Sequence, residues 1–206
     1  MRIGIVTDIH DEVEHLTAAL RVLRDERADA VVCLGDSTDF HGPYNRAWEV
    51  AHLLRDHGVI GVWGNHDCGL CRDVPLDAFH TPPDHDALAY FATWQPRAEL
   101  GGCHFSHVEP WLDLADPIAL WYYDDPPVTP AEYARTFATV THPAAFIGHF
   151  HKWMAGTAAG RLPWKGDTPL SLDSAERHHV VVGPLIRGAF ALFDTDTRTL
   201  TPYHLP

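Results

Sequence analysis

An α/β architecture follows from two patterns in the sequence. Through the first third of the chain, short apolar runs alternate with amphipathic stretches joined by short crossovers. In the last third, apolar runs separated by turn residues follow one another with little helical periodicity between them. Arg2 to Thr7 reads as a short buried strand. Asp11 and Glu14 have the spacing of a capping box, opening a helix that carries Val13, Leu16, Leu20 and Leu23 on one face. Ala30 to Leu34 is a second strand, and Ala47, Val50, Ala51 and Leu54 mark a second helix that stops at Gly58. Val59 to Trp63 is the third strand.

From Cys68 to Pro96 the pattern weakens, with Pro75, Pro82 and Pro83 breaking it and Ala87 to Trp94 reading as a short helix. Gly102 to Ser106 is a strand. Residues 109–130 mix Trp111, Trp121, Tyr122 and Tyr123 with Asp113, Asp116, Asp124 and Asp125, and read as a long structured loop. Thr129 and Glu132 frame a second capping box with Pro130 at the first helical position, and Tyr133, Phe137 and Val140 form that helix's apolar side. Ala144 to Ile147, His179 to Val182, Ala189 to Phe193 and Leu200 to Tyr203 are the remaining strands.

The chain has 206 residues, 46% of them hydrophobic, enough for a full core, and no repeat or linker interrupts it, so residues 1–206 read as one domain. No apolar run reaches the roughly 18 residues of a membrane helix, and the N-terminus lacks the features of a signal peptide. The expectation is a cytoplasmic protein with no membrane partner. Fifteen Lys and Arg against 28 Asp and Glu give a formal charge of −13, which repels long nucleic acids and favours small substrates. The four cysteines are expected as reduced thiols, and Cys68 and Cys71 lack the second pair that a four-cysteine zinc site needs. Of the sixteen histidines, His15, His41, His52, His57, His80, His85, His142, His178, His179 and His204 sit in polar or irregular contexts and read as surface residues.

Five of the remaining six histidines belong to an ordered set of motifs, most of them directly after an apolar run. The set is Asp8 with His10, Gly35-Asp36 with Asp39, Gly64-Asn65-His66-Asp67, His107 after Phe105-Ser106, and Gly148-His149 with His151. Strand ends are where open α/β folds place their sites. In extended segments residues i and i+2 project to one side, so Asp8 with His10, and His149 with His151, are expected to aim paired ligands at one point. Carboxylate, imidazole and amide donors suit Mn, Fe, Zn or Ni without choosing among them. His104 is the rival of His107, but strand parity turns it to the opposite face.

This ordered set resembles the calcineurin-like metallophosphoesterases. The resemblance implies a two-sheet α/β sandwich flanked by helices, and two divalent cations. Asp8, His10, Asp36 and His151 would hold one, Asn65, His107 and His149 with the shared Asp36 the other. It also implies hydrolysis of a small phosphate ester by a bridging hydroxide, with His66 as the catalytic histidine and Asp39 as its orienting carboxylate. A phosphodiester is favoured because His66 is present, with a phosphomonoester or nucleotide as the alternative. Two departures stand out. No arginine follows Asp39 as in the family's protein serine/threonine phosphatases, and Val108-Glu109-Pro110 follows His107 where a glycine is more usual. From another functional class, a protein-interaction scaffold with a metal site fits the aromatic run at 121–123, which also suits a core, a homo-oligomer contact or a substrate platform. Glu109 reads as a partner behind the ligands or an exposed carboxylate, and Arg161, Lys165 and Arg187 as candidate phosphate contacts.

Overall fold

A computed structural model describes residues 1–39, 46–72, 83–122 and 124–206. Along the chain run β1 (Arg2–Val6), α1 (Val13–Asp25), β2 (Ala30–Cys33), α2 (Ala47–Asp56), β3 (Ile60–Gly61), α3 (His85–Phe91), β4 (Arg97–Leu100) and β5 (Cys103–Ser106). Then follow α4 (Pro130–Thr139), β6 (Ala144–Ile147), β7 (Met154–Thr157), β8 (Gly160–Arg161), β9 (Leu170–Ser171), β10 (His178–Val181), β11 (Ala189–Asp194) and β12 (Thr199–His204). The strands form two six-stranded mixed sheets, ordered β3-β2-β1-β11-β12-β9 and β4-β5-β6-β10-β7-β8. This is the two-sheet α/β sandwich expected from the resemblance.

Strand alternation explains how the layers stack. Ile3 and Ile5 of β1 meet Phe105, Phe146, Val180 and Phe193 in one cluster fed by both sheets. The opposite face of the first sheet packs Cys33 and Leu192 against Leu16, Leu20 and Leu23 of α1, Val50 and Leu54 of α2, and Phe91 of α3. β1 lies between parallel β2 and antiparallel β11, so the chain's two ends meet in the middle of the first sheet. The parallel strands β1, β2, β5 and β6 each run out into one of the motif turns.

Several expected boundaries shift, each for a local reason. Asp11 does not cap α1, whose N-cap is Glu12 with no side-chain bond. Asp11 has φ +63°, whereas a capping residue needs extended backbone. The third strand shrinks to Ile60–Gly61 plus an isolated bridge from Val62 to Gln95. The short helix begins at His85, two residues earlier than the apolar pattern indicated, after the N-cap Asp84, whose carboxylate accepts from Ala87 N at 2.9 Å. β4, β7, β8 and β9 were not expected. The first is a half-exposed Arg-Ala-Glu-Leu run, the second contains glycine and alanine, and the last two have two residues each.

His178 and His179 are buried rather than exposed, because β10 is a central strand covered on both faces. His57, His85 and His204 are exposed as expected. The surface reading of His41 and His80, the breaks at Pro75 and Pro82, and Tyr123 of the aromatic run lie outside the described residues. All four cysteines are free and buried.

The capping box at α4 forms as the sequence indicates. Thr129 Oγ1 accepts from Glu132 N, and Glu132 Oε2 accepts from Thr129 N at 2.8 Å and Val128 N at 3.0 Å. Thr129→Ala removes one half of the box, and urea unfolding should show a loss of about 1 kcal/mol. A loss within error would mean that α4 is held by its packing alone.

Candidate metal centre

The motif side chains converge in two groups of donors. Asp8, His10 and His151 form one, Asp36, His107 and His149 the other. In the first, His10 Nε2 lies 3.1 Å from His151 Nε2, and His151 Nε2 3.3 Å from Asp8 Oδ1. In the second, Asn65 Oδ1 lies 2.9 Å from His107 Nε2 and 3.1 Å from His149 Nδ1, and those two nitrogens are 3.3 Å apart. Asp36 Oδ2 stands between the groups, 3.3 Å from His107 Nε2 and 4.0 Å from His10 Nε2. Donors bonded to one cation at about 2.1 Å are roughly 3.0–3.4 Å apart for octahedral to tetrahedral angles, so the spacings within each group fit bound metal, while the 4.0 Å from Asp36 to His10 is wider than that range.

The convergence has a different origin from the one expected. Asp8, His10, Asp36, His149 and His151 have φ between +48° and +67°. They therefore sit in tight left-handed turns, not in extended segments. Asp and His are among the few side chains that tolerate this backbone region. The Asp8 turn is tied to the next one by Asp8 N and the Gly35 carbonyl, and by Ile9 N and His10 N, which both donate to the Asp36 carbonyl. Two motif glycines are required by close approach. A Cβ on Gly64 would lie 2.1 Å from Asp36 N, and one on Gly148 would lie 2.0 Å from Thr7 Oγ1.

Backbone carbonyls fix the histidine rings. His107 Nδ1 donates to the Leu34 carbonyl at 2.7 Å, and His149 Nε2 donates to the Tyr122 carbonyl at 2.5 Å. The opposite nitrogens are thereby turned toward Asn65 and Asp36, where a proton or a cation must sit among electron-pair atoms. Charge agrees with this. Burial lowers the pKa of His107, yet the Asp36 carboxylate outweighs it and raises the value to about 9. Burial in turn disfavours the Asp36 anion, but His107 holds its pKa well below the usual carboxylate range. The pull that draws a proton to this position draws a metal cation equally.

Asp67, the last residue of the Gly64-Asn65-His66-Asp67 motif, is a structural tie. Its Oδ2 accepts from Ser37 N at 2.7 Å and Ser37 Oγ at 2.9 Å, and its Oδ1 from Gly64 N at 2.7 Å. One buried carboxylate thus clamps the turn after β2 to the turn after β3. Burial, with Asp36 adding to it, raises its pKa to about 6. Thr7 Oγ1 similarly donates to Asp8 Oδ2 at 2.8 Å. The position of Asp67 directly after His66 was a visible signal, whereas the carbonyls of Leu34 and Tyr122 have no signature in sequence.

His66 stands outside both of these groups but forms a third cluster of possible donors with His10 and Asp39. Its backbone N donates to Asp36 Oδ1 at 2.9 Å, and its Nδ1 lies 3.3 Å from Asp39 Oδ1, without hydrogen-bond alignment. The ring lies 4.9 Å from that of His10 and 5.3 Å from that of Trp121, so the loop after β5 reaches the rim of the site. Val108, Leu114 and Leu120 pack with Cys68 to hold that loop. Glu109 is buried, not exposed, and sits away from the donors, where its carboxylate accepts from Thr136 Oγ1 at 2.9 Å and lies 3.0 Å from His179 Nε2. His104 also points elsewhere, as strand parity required. Of the three cationic candidates, exposed Arg187 is near enough to oppose protonation of His151, while Arg161 lies on the edge strand β8 with Lys165 beyond it.

Residues 1–163 match the family model of the calcineurin-like phosphoesterase superfamily domain. The chain belongs to that superfamily. Among solved structures, a metallophosphoesterase from Sphaerobacter thermophilus superposes with a TM-score of 0.77 at 24% identity, covering 100% of this chain and 88% of that one. An archaeal phosphodiesterase superposes at 0.56 with 13% identity and full coverage of both chains. An uncharacterized protein of Methanocaldococcus jannaschii is 33% identical over 78 residues, which span 38% of this chain and 31% of that relative's length. The superfamily is divalent-metal dependent, and each of the two donor groups could hold a metal ion.

The Gly148 contact is open to a direct test. Gly148→Ala should destabilise the protein by roughly 1–3 kcal/mol through overpacking, and Thr7→Ala in the same chain should recover part of that loss. Additive effects of the two changes in denaturant unfolding would show that the contact with Thr7 is not the cause.

Proposed function

We propose that this superfamily member hydrolyses a small phosphate ester, a phosphodiester in preference to a monoester or nucleotide, with two divalent cations. The observation that carries the reading is the pair of donor groups meeting at the Asp36 carboxylate, with ring nitrogens set by backbone carbonyls. Asp8, His10, Asp36 and His151 are assigned to one cation, and Asp36, Asn65, His107 and His149 to the other. When bound, such cations lower the pKa of water and offset charge on phosphoryl oxygens.

The protein's own groups then divide the remaining work. Asp36 draws both donor groups together and fixes the His66 backbone through its second oxygen. The His66 ring, a quarter exposed, faces the open side of the site and delivers a proton to the departing alkoxide. Asp39, whose Oδ1 lies 3.3 Å from Nδ1, is assigned the role of orienting that ring. Trp121 borders the same opening, where it limits the shape of the leaving group.

A second reading, an interaction scaffold, draws on Ile118 and Trp121, which are 80% and 37% exposed on the loop beside the site. Asp36→Asn separates the two. Asparagine keeps an oxygen for His66 N, so the thermal melt should change little, while metal retention and phosphoesterase activity fall at least ~10-fold. Wild-type metal content with no turnover on a phosphate-ester panel in Mn, Fe, Zn or Ni would favour the scaffold.

His66→Ala isolates the proton. Both cations should remain bound, and the rate should fall about 10²–10⁴-fold on diesters with alkyl leaving groups but far less on nitrophenyl esters, which depart as stable anions. Asp39→Asn should show the same dependence more weakly. Equal losses on all substrates, or a lost metal in His66→Ala, would remove His66 from the role of acid.

A further inference from the structure

We propose that Glu99, His104 and His142 form a separate zinc site on the outer face of the second sheet, tying the β4-β5 edge hairpin to the turn before β6. Donor atoms from the three side chains all lie within 4.8 Å of one another. Glu99 Oε2 and His142 Nε2 are 3.4 Å apart, which is about the edge of a tetrahedron around zinc. Glu99 and His104 face each other directly across the antiparallel pair β4-β5. Cys103 and Phe105 enter the core between the sheets, so His104 turns to the other face. His142 joins from the segment that links α4 to β6, and its ring centroid is 6.0 Å from that of His104.

Two further observations favour a metal over an ordinary pair of polar contacts. His104 is buried, with no part in the phosphoesterase site, and its Nε2 lies 3.3 Å from Ser106 Oγ. Ser106 Oγ gives its own hydrogen to the Val108 carbonyl, so it accepts from the imidazole and holds the ring in place. His142 Nδ1 is buried without a partner, leaving Nε2 as the atom turned to Glu99. Two imidazoles and one carboxylate are a three-ligand zinc set that leaves a fourth position to water. Arg97 adds positive charge nearby. A hard ion held mainly by charge, such as Mg²⁺, is therefore disfavoured against zinc, which bonds strongly to imidazole.

Full-length protein, stripped with chelator, is titrated with zinc chloride in a calorimeter, and bound zinc is counted by elemental analysis. Wild type should bind one equivalent more than the Glu99→Gln/His142→Gln double variant, and each single variant should weaken that equivalent at least tenfold. Asp36→Asn should retain it. Both changed side chains are partly exposed, so circular dichroism should be unaltered, and the phosphoesterase rate should be unaltered too. Equal stoichiometry and affinity in wild type and the double variant would overturn the proposal. So would loss of the equivalent in Asp36→Asn while Glu99→Gln/His142→Gln keeps it.

Discussion

The Asp36 carboxylate is nearly inaccessible to solvent, and an anion in that position is tolerated only where the surroundings compensate it. The compensation organises the molecule around it. One oxygen takes the His66 N–H, the other faces His107, and the residue's own carbonyl receives the N–H groups of Ile9 and His10. Two sheets must therefore approach at their strand ends, because Asp36 follows a strand of the first sheet and His107 a strand of the second. The apolar cluster between the sheets provides the burial free energy that holds them in that position.

How much of this was legible in sequence follows from the range of each interaction. The motif order, the strand ends and the α4 capping box depend on neighbours within a few residues, and all appear in the structure. The burial of His178 and His179 depends on β10 being central to its sheet, a fact set by pairing with β6 and β7. No local pattern reports that. Asp11 shows the opposite case, where a correct local signal yields to the left-handed turn that begins at Asp8. The residues that converge could be named in advance, but the backbone geometry that joins them could not, since extended and left-handed segments both allow paired side chains to converge.

The loop after β5 illustrates how a segment without regular structure can still be fixed in place. Its small apolar cluster and the Trp111–Tyr122 contact hold one end of the segment, and the Tyr122 carbonyl bonds to His149. Loops commonly carry function because a rigid scaffold positions them. Here the dependence is mutual, for the loop's backbone also sets which nitrogen of His149 is turned inward. Substitutions at Leu114 or Leu120, remote from any donor, would reach the centre through that carbonyl.

The five left-handed donors carry a consequence for laboratory evolution. Non-glycine residues in this backbone region are strained by roughly 1–3 kcal/mol each. Replacement by glycine relieves the strain, so positions 8, 10, 149 and 151, unlike Asp36 with its fold-organising carboxylate, are where the fold would gain robustness by giving up its donors. A library sorted only for heat resistance would accumulate glycine at these turns and fill with well-folded, inert chains. Sorting on turnover as well is what would keep aspartate and histidine there.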